Sequence, residues 1–186
     1  MTTGLIIARY QPAHVTHQEV MEFAKDQGVD RLVVVKGSAD KFRIPRHPFM
    51  PEECTDMTRM YLERVGLPYS IHALADVSQN IKQDDEQLRE EDIIEYTKFA
   101  ELLVAQLPKF DVAIIANPTI GQPLARMGYP VIRPTSNIHC TATYVRREYT
   151  LHGDRCEDLL LPEQVRHMDT HNLYDVMKQI GKQEFR

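Results

Sequence analysis

Two short apolar runs without polar alternation, GLIIA at residues 4–8 and RLVVVK at 31–36, flank a helix-patterned segment, HQEVMEFAKDQ at 17–27, that stops before Gly28. Successive strand residues point to opposite faces, so a strand that is apolar throughout must be covered on both sides. Two such strands with a helix between them make a β-α-β unit, and the strands are therefore parallel and central in their sheet. This constraint organises the rest of the chain. Segment 51–65 (PEECTDMTRMYLERV) opens with a proline suited to a first helical turn and two acids that complement the helix dipole, and stops before Gly66. YSIHALA at 69–75 reads as a third strand. The polar, acidic stretch 76–92 reads as a solvated loop or helix face, and IIEYTKFAELLVAQL as a helix leading into FDVAIIAN, whose residues 111–116 form a fourth strand. Asn117-Pro118 marks a turn, TIGQPLARMGY holds a short helix, and YPVIRP supplies a short fifth strand. From about residue 142 helical periodicity dominates, in ATYVRREYTLHG, LPEQVRHM and HNLYDVMKQIGKQ.

The 186 residues, 42% of them hydrophobic, suffice for one domain spanning 1–186, with 150–186 a helical C-terminal extension packed on it. Lys and Arg number 22 against 27 Asp and Glu, a formal charge of -5, so no global basic field favours nucleic acid and any anion binding must be local. Cys54, Cys140 and Cys156 are widely spaced and odd in number, which suits reduced thiols better than a disulfide framework. No window approaches eighteen consecutive apolar residues, and the N-terminus carries neither an apolar segment nor a basic leader. The expectation is an unexported, cytoplasmic protein with no membrane partner.

Ligands of open parallel sheets bind outside the carboxyl ends of the strands, where ARYQPAHVTH (8–17) leaves the first one. A helix beginning near His17 directs its free amides to that crevice. His14 and His17, three residues apart, can both donate hydrogen bonds to an anionic ligand; the same spacing also suits two ordinary surface or capping histidines. A metal site is the weaker idea, because no nearby Cys or Asp cluster completes a ligand set. In TATYVRR (141–147), Thr141 stands at a helix N-cap, Thr143 in the first turn and Arg146 on nearly the same face. Hydroxyl, amides and guanidinium suit a polyphosphate tail; a routine cap on an exposed basic helix fits equally.

Taken in order, the two segments resemble the nucleotidyltransferase superfamily, whose pattern is a strand, (G)RFQPxH-x-G-H, and a late ISSTxxR. Arg9, Gln11, Pro12, His14 and His17 match the first motif and Thr143 and Arg146 the second. The likeness extends to the archaeal-type nicotinamide-nucleotide adenylyltransferases: GSADKFRIPRHPF with Glu53 following resembles their GSAQ…NPF segment, and FDVAIIANPTIGQPLARMGYPV is similar to their FDxVYSNNPLVxRLFxExGY. It covers roughly residues 4–165 and is weakest between 76 and 105. It implies an α/β, Rossmann-like open sheet, mostly parallel and of about five strands, with helices on both faces and a helical C-terminal segment.

The resemblance also implies chemistry: a mononucleotide phosphate attacks the α-phosphorus of ATP and expels pyrophosphate, with Mg²⁺ accompanying ATP, no direct protein ligands to the metal and no tightly bound organic cofactor. His14 and His17 would contact the ATP phosphates, backbone amides near Tyr10 and Gln11 the α-phosphate, and Arg146 with the helix start at Thr141 and Thr143 the β- and γ-phosphates. Arg9 and Lys41 would meet phosphate charge, and Asn117 the adenine or ribose, unless it is simply a turn residue. Gly37, Ser38, Lys41 and Phe49 belong to the acceptor side. Relatives of this type assemble into homo-oligomers.

Several positions depart from the pattern. Ala8 and Thr16 replace motif glycines, Thr141 replaces a serine, Cys54 stands where an arginine is usual, and the chain has no Trp to stack on nicotinamide. Tyr69, Tyr96, Phe99 and Phe42 are the aromatic substitutes, or core residues. The acceptor is therefore nicotinamide mononucleotide or another phosphate such as nicotinate mononucleotide or phosphopantetheine. A catalytically silent nucleotide-binding module is the other class. A dehydrogenase is disfavoured, because ARYQPAHVTH contains no glycine.

Overall fold

The computed structural model describes residues 1–75, 90–134 and 140–185, so most of the acidic run 76–92 lies outside the described residues. The elements are β1 (Thr3–Ala8), α1 (Val15–Asp26), β2 (Arg31–Lys36), α2 (Pro51–Val65), β3 (Tyr69–Ala73), α3 (Glu90–Gln106), β4 (Val112–Ile114), α4 (Pro118–Arg126), β5 (Val131–Ile132), α5 (Ala142–His152), α6 (Pro162–Thr170) and α7 (Leu173–Glu184). All five strands run parallel in the order β3-β2-β1-β4-β5. This is a Rossmann-like α/β fold. Among the described residues no helix is long and apolar enough to cross a membrane.

Apolar strands without alternation have the expected consequence. Ile6, Leu32, Val34 and Ile114 face one side and pack with Met21 and Ala24 of α1 and Met57 and Leu62 of α2. Their neighbours Leu5, Val33, Val35 and Ala113 face the other and pack with Phe99, Ala100 and Leu103 of α3 and Leu124 of α4. Gly4 of β1 sits where a side chain has no room, since a Cβ there would come within 2.9 Å of the Ile114 Cδ1 and 3.0 Å of Val29.

Helix boundaries follow local chemistry. α1 begins at Val15 rather than near His17, because extended backbone at His14 ends the preceding turn and the Val15 N–H is taken by the Leu159 carbonyl at 3.0 Å. His14 becomes the N-cap and His17 the third helical residue. α2 starts at Pro51, where Glu53 Oε2 accepts the Met50 N–H at 2.8 Å, and ends at Gly66 in the left-handed region (φ 75°).

The three C-terminal helices lie against the rest of the chain. Gln164 of α6 donates to the Ala13 carbonyl at 2.8 Å, and Arg64 of α2 pairs with Glu163. α7 crosses α5 closely at Gly181: a Cβ there would fall on the Thr150 hydroxyl.

Candidate active site

The chain winds from β1 to β2 and β3 on one side of the sheet and then crosses to β4 and β5 on the other, so the crevice opens beside the carboxyl end of β1. Two adjoining clefts lie there. One, about 350 Å³, is lined by Ile7, Ala8, Arg9 and Tyr10 after β1, His14 and His17 at the start of α1, Gly37 and Ser38 after β2, Tyr96 and Phe99 of α3, Asn117 and Ile120 at α4, and Cys140, Thr141 and Ala142 before α5. The other, about 420 Å³, is lined by Arg9, Gln11, Arg46, Ala142, Thr143, Arg146, Glu184 and Phe185. Arg9 and Ala142 belong to both. Tyr10 and Ser38, two positions beyond β1 and β2, each have φ 55°, an arrangement that non-glycine residues rarely adopt and that turns the chain sharply into the cleft wall.

The imidazoles form a compact pair, with ring centroids of His14 and His17 4.0 Å apart and Tyr10 4.7 Å from His17. His17 Nδ1 accepts the backbone N–H of His14 at 3.1 Å, so the proton of a neutral His17 resides on Nε2, a donor on a cleft-lining residue. Burial pushes His14 down to about 4. Burial and the adjacent His14 hold His17 well below the ordinary histidine range. Both rings are therefore neutral at pH 7, donors without charge.

The loop after β1 is clamped to the one after β2. The Gln11 carboxamide accepts the Phe49 N–H at 3.0 Å and donates to the Phe49 carbonyl at 3.1 Å, all of it buried. Thr16, in place of the motif glycine, turns its hydroxyl to the Cys140 carbonyl at 3.3 Å, which ties the start of α1 to the segment before α5. Thr141 caps α5 by accepting the Tyr144 N–H at 3.1 Å.

Arg146 is buried, with 3% of its side chain exposed. Its Nη1 donates to the Gln11 carbonyl at 2.7 Å and its Nη2 to Thr143 Oγ1 at 3.2 Å. The Glu184 carboxylate takes both Nε at 3.0 Å and Nη2 at 2.6 Å. Burial raises the Glu184 carboxyl, but the Arg146 bonds and charge outweigh it and leave it below the ordinary carboxylate range. His47, also buried, is pushed down to about 4 by burial and by the charges of Arg9, Lys36, Lys41 and Arg146. Lys36 Nζ, sealed at the end of β2, has no hydrogen-bond partner.

Arg9, Tyr10, His14, His17, Gly37, Ser38, Asn117 and Thr141 thus meet at the first cleft, and Gln11, Thr143 and Arg146 at the second. Phe49 is a correction: its ring is fully buried in the core and only its backbone serves the site, through Gln11, because HPF carries it inward at the foot of α2. Lys41 lines neither cleft, although His47 feels its charge. Asn117 caps α4 by accepting the Thr119 N–H at 3.0 Å and also lines the first cleft. Tyr96 and Phe99 are at once core and cleft wall, whereas Phe42 is exposed and Tyr69 packs on the core. Arg46, Glu184 and Phe185 are site residues that sequence reasoning missed. The basic stretch KFRIPR carried a signal for the first; nothing local marked the other two.

No family model matches the chain. Known proteins nevertheless resemble it over most of its length. It is 27% identical over 186 residues to the nicotinamide-nucleotide adenylyltransferase of Methanocorpusculum labreanum, covering 99% of this chain and 100% of that one. It is 28% identical over 167 residues to the protein of that name from Saccharolobus solfataricus, covering 89% and 88%, and 29% over 166 residues to that of Pyrococcus furiosus, covering 86% and 79%. Among solved structures, a bifunctional NMN adenylyltransferase/ADP ribose pyrophosphatase from Francisella tularensis, complexed with AMP and a manganese ion, superposes with TM-score 0.64 at 16% identity. That match covers 96% of this chain and 52% of the other, and a second structure so described from the same organism gives 0.67. The fold is thus that of the nucleotidyltransferases. Over most of its length the chain is similar to the archaeal nicotinamide-nucleotide adenylyltransferases.

Two measurements probe this geometry. Gln11→Leu leaves the Phe49 N–H and carbonyl buried and unpaired, so chemical denaturation should show a loss on the order of 2–4 kcal/mol. Acid should also destabilise the protein. A histidine whose folded pKa lies below its unfolded value contributes stability that is complete above the unfolded value near 6.5 and is lost as pH falls toward the folded one. His14 and His47, both at about 4, set that window, so the melting temperature should fall steadily from pH 6.5 to 4. A flat profile across that range would show that these rings are charged in the fold.

Proposed function

We propose that this protein is a nicotinamide-nucleotide adenylyltransferase, joining ATP and nicotinamide mononucleotide to give NAD⁺ and pyrophosphate in NAD biosynthesis. The observation that carries the reading is the meeting of two short motifs, 8–17 and 141–147, at one crevice, with Arg146 bonded directly to the Gln11 carbonyl across 135 residues of chain. The name shared by relatives that match nearly the whole chain supports it.

In this reading an oxygen of the acceptor phosphate attacks the α-phosphorus of ATP, the bond from that phosphorus to the bridging oxygen of the β-phosphate breaks, and pyrophosphate leaves without a covalent enzyme intermediate. Adenosine occupies the first cleft near Asn117, and the phosphates run past His14 and His17 into the basic second cleft. The neutral imidazoles donate hydrogen bonds to the transferring and leaving phosphates, and in a crevice shielded from water such donors stabilise developing charge strongly. Arg146 and the N-terminus of α5 hold the β- and γ-phosphates, with Arg9 and Arg46 on the same cleft wall. The acceptor lies on the Gly37 and Ser38 side, where Tyr96 and Phe99 offer aromatic faces in a chain without Trp.

Mg²⁺ would arrive on the triphosphate. Among the described residues no three His, Cys, Asp or Glu side chains converge on one point, and the one carboxylate lining the basic cleft is paired to Arg146, so phosphate oxygens and water are the ligands that fit. A cytoplasmic location, argued from the cysteine usage and the N-terminal composition, and a homo-oligomeric assembly, which rests on the resemblance, complete the proposal.

The test is direct. Purified protein incubated with ATP, Mg²⁺ and nicotinamide mononucleotide should yield NAD⁺ and equimolar pyrophosphate. Product only with nicotinate mononucleotide or phosphopantetheine would move the acceptor, and ATP binding without product in any tube would leave a silent binding module. His17→Ala should lower kcat/KM on the order of 100-fold. Parent-like kcat/KM in that variant would remove the leaving-group role.

A further inference from the structure

The proposed triphosphate cradle is already filled by the protein itself. Arg146 makes four hydrogen bonds, and its outward edge, Nε and Nη2, is taken by the two oxygens of Glu184. A planar carboxylate paired edge-on with a guanidinium has the geometry by which arginine also grips phosphate, so one edge cannot hold both. Glu184 also accepts the backbone N–H of Arg46 at 3.1 Å, occupying a second donor of the same basic cleft.

The packing of α7 brings this about. Gly181 lets α7 lie directly against Thr150 of α5. One turn further along each helix, in opposite directions, stand Glu184 and Arg146. Glu184 is the last residue of α7, in a terminal turn that can fray without disturbing the helix behind it.

We propose that Glu184 is an internal stand-in for the terminal phosphates of the nucleotide: it holds the Arg146 edge when no nucleotide is bound and must be displaced by a polyphosphate. The inference rests on the reading that Arg146 receives the triphosphate. Glu184 thereby acts on selectivity as well as occupancy. A ligand that reaches Arg146, such as ATP or inorganic tripolyphosphate, gives up part of its binding energy to expel the carboxylate. AMP, whose single phosphate stops at the histidines, does not. In the free protein the carboxylate also keeps a buried guanidinium paired, the condition under which such a charge is tolerated.

Calorimetric titration of the full chain and of Glu184→Gln with ATP, tripolyphosphate and AMP tests this, with melting curves recorded on both proteins. Removing one charge-assisted competitor should tighten ATP and tripolyphosphate about ten-fold in E184Q and leave AMP unchanged. Glu184→Asp, which keeps the charge but is too short to bridge both nitrogens in the same pose, should give a smaller gain in the same direction. Weaker ATP binding by E184Q would mean that Glu184 orients Arg146 for the nucleotide, and parallel tightening of ATP and AMP would mean general loosening of the cleft; either result overturns the proposal. Equal ATP binding by both proteins, with NAD⁺ formation intact, would remove this inference and leave the adenylyltransferase reading standing. Failure of both proteins to bind ATP would remove the two together.

Discussion

Strand β1 is hydrogen-bonded on both edges, to β2 over six residue pairs and to β4 over three. Its carboxyl end, paired to Lys36 of β2, lies where the sheet's winding reverses. The ten residues 8–17 therefore leave a rigid base. Tyr10 in its left-handed conformation and the buried Gln11 clamp transmit that rigidity to the histidines and to the loop after β2. A binding group gains precision from rigid support, because its orientation is settled before the ligand arrives. The remaining pieces of the site attach to this base: α5 through Arg146 to the Gln11 carbonyl, α6 through Gln164 to the Ala13 carbonyl, and the segment before α5 through Thr16.

What the sequence discloses is what short-range pattern can encode. Unbroken apolar runs required a sheet covered on both faces, and the alternating assignment of Leu5 and Ile6 to opposite cores is its consequence. Both motif segments that line the clefts were legible because the residues of each lie within ten positions of one another. Glu184 was not legible, since its meaning depends on a partner 38 residues away and on Gly181 letting two helices touch. Phe49 misled for the opposite reason. It lies in a recognisable segment, yet its ring is core and only its backbone reaches the loop after β1, through Gln11, which side-chain identity does not report. Thr16 shows a third case: the side chain that replaces a motif glycine lines neither cleft and is held by the carbonyl of Cys140, just before the second motif.

Electrostatics resolves the tension between an acidic chain and a basic cleft. The protein carries a formal charge of -5, yet Arg9, Lys36, Lys41 and Arg146 all act on the buried His47, which stays neutral among them. Charge concentrated in a low-dielectric crevice governs what binds there, whereas net charge acts at long range and is screened by salt. The histidines fit the same logic. As neutral donors they add hydrogen-bonding capacity without deepening the repulsion among neighbouring cations, and an arriving phosphate favours their protonation by supplying the opposite charge.

The same accounting bears on the most unusual position of the acceptor side. Cys54 is fully buried, and its thiol, pushed up to about 12 chiefly by burial, is inert. Lys36, with 1% of its surface exposed, lies at the end of β2 close enough to the Cys54 thiol, at the start of α2, for its charge to oppose the rise that burial imposes there. An arginine at 54 would set a guanidinium beside the Lys36 ammonium with no water to separate them, an arrangement that costs desolvation twice and repulsion besides. One cation excludes the other, and the small thiol is what leaves room for the lysine.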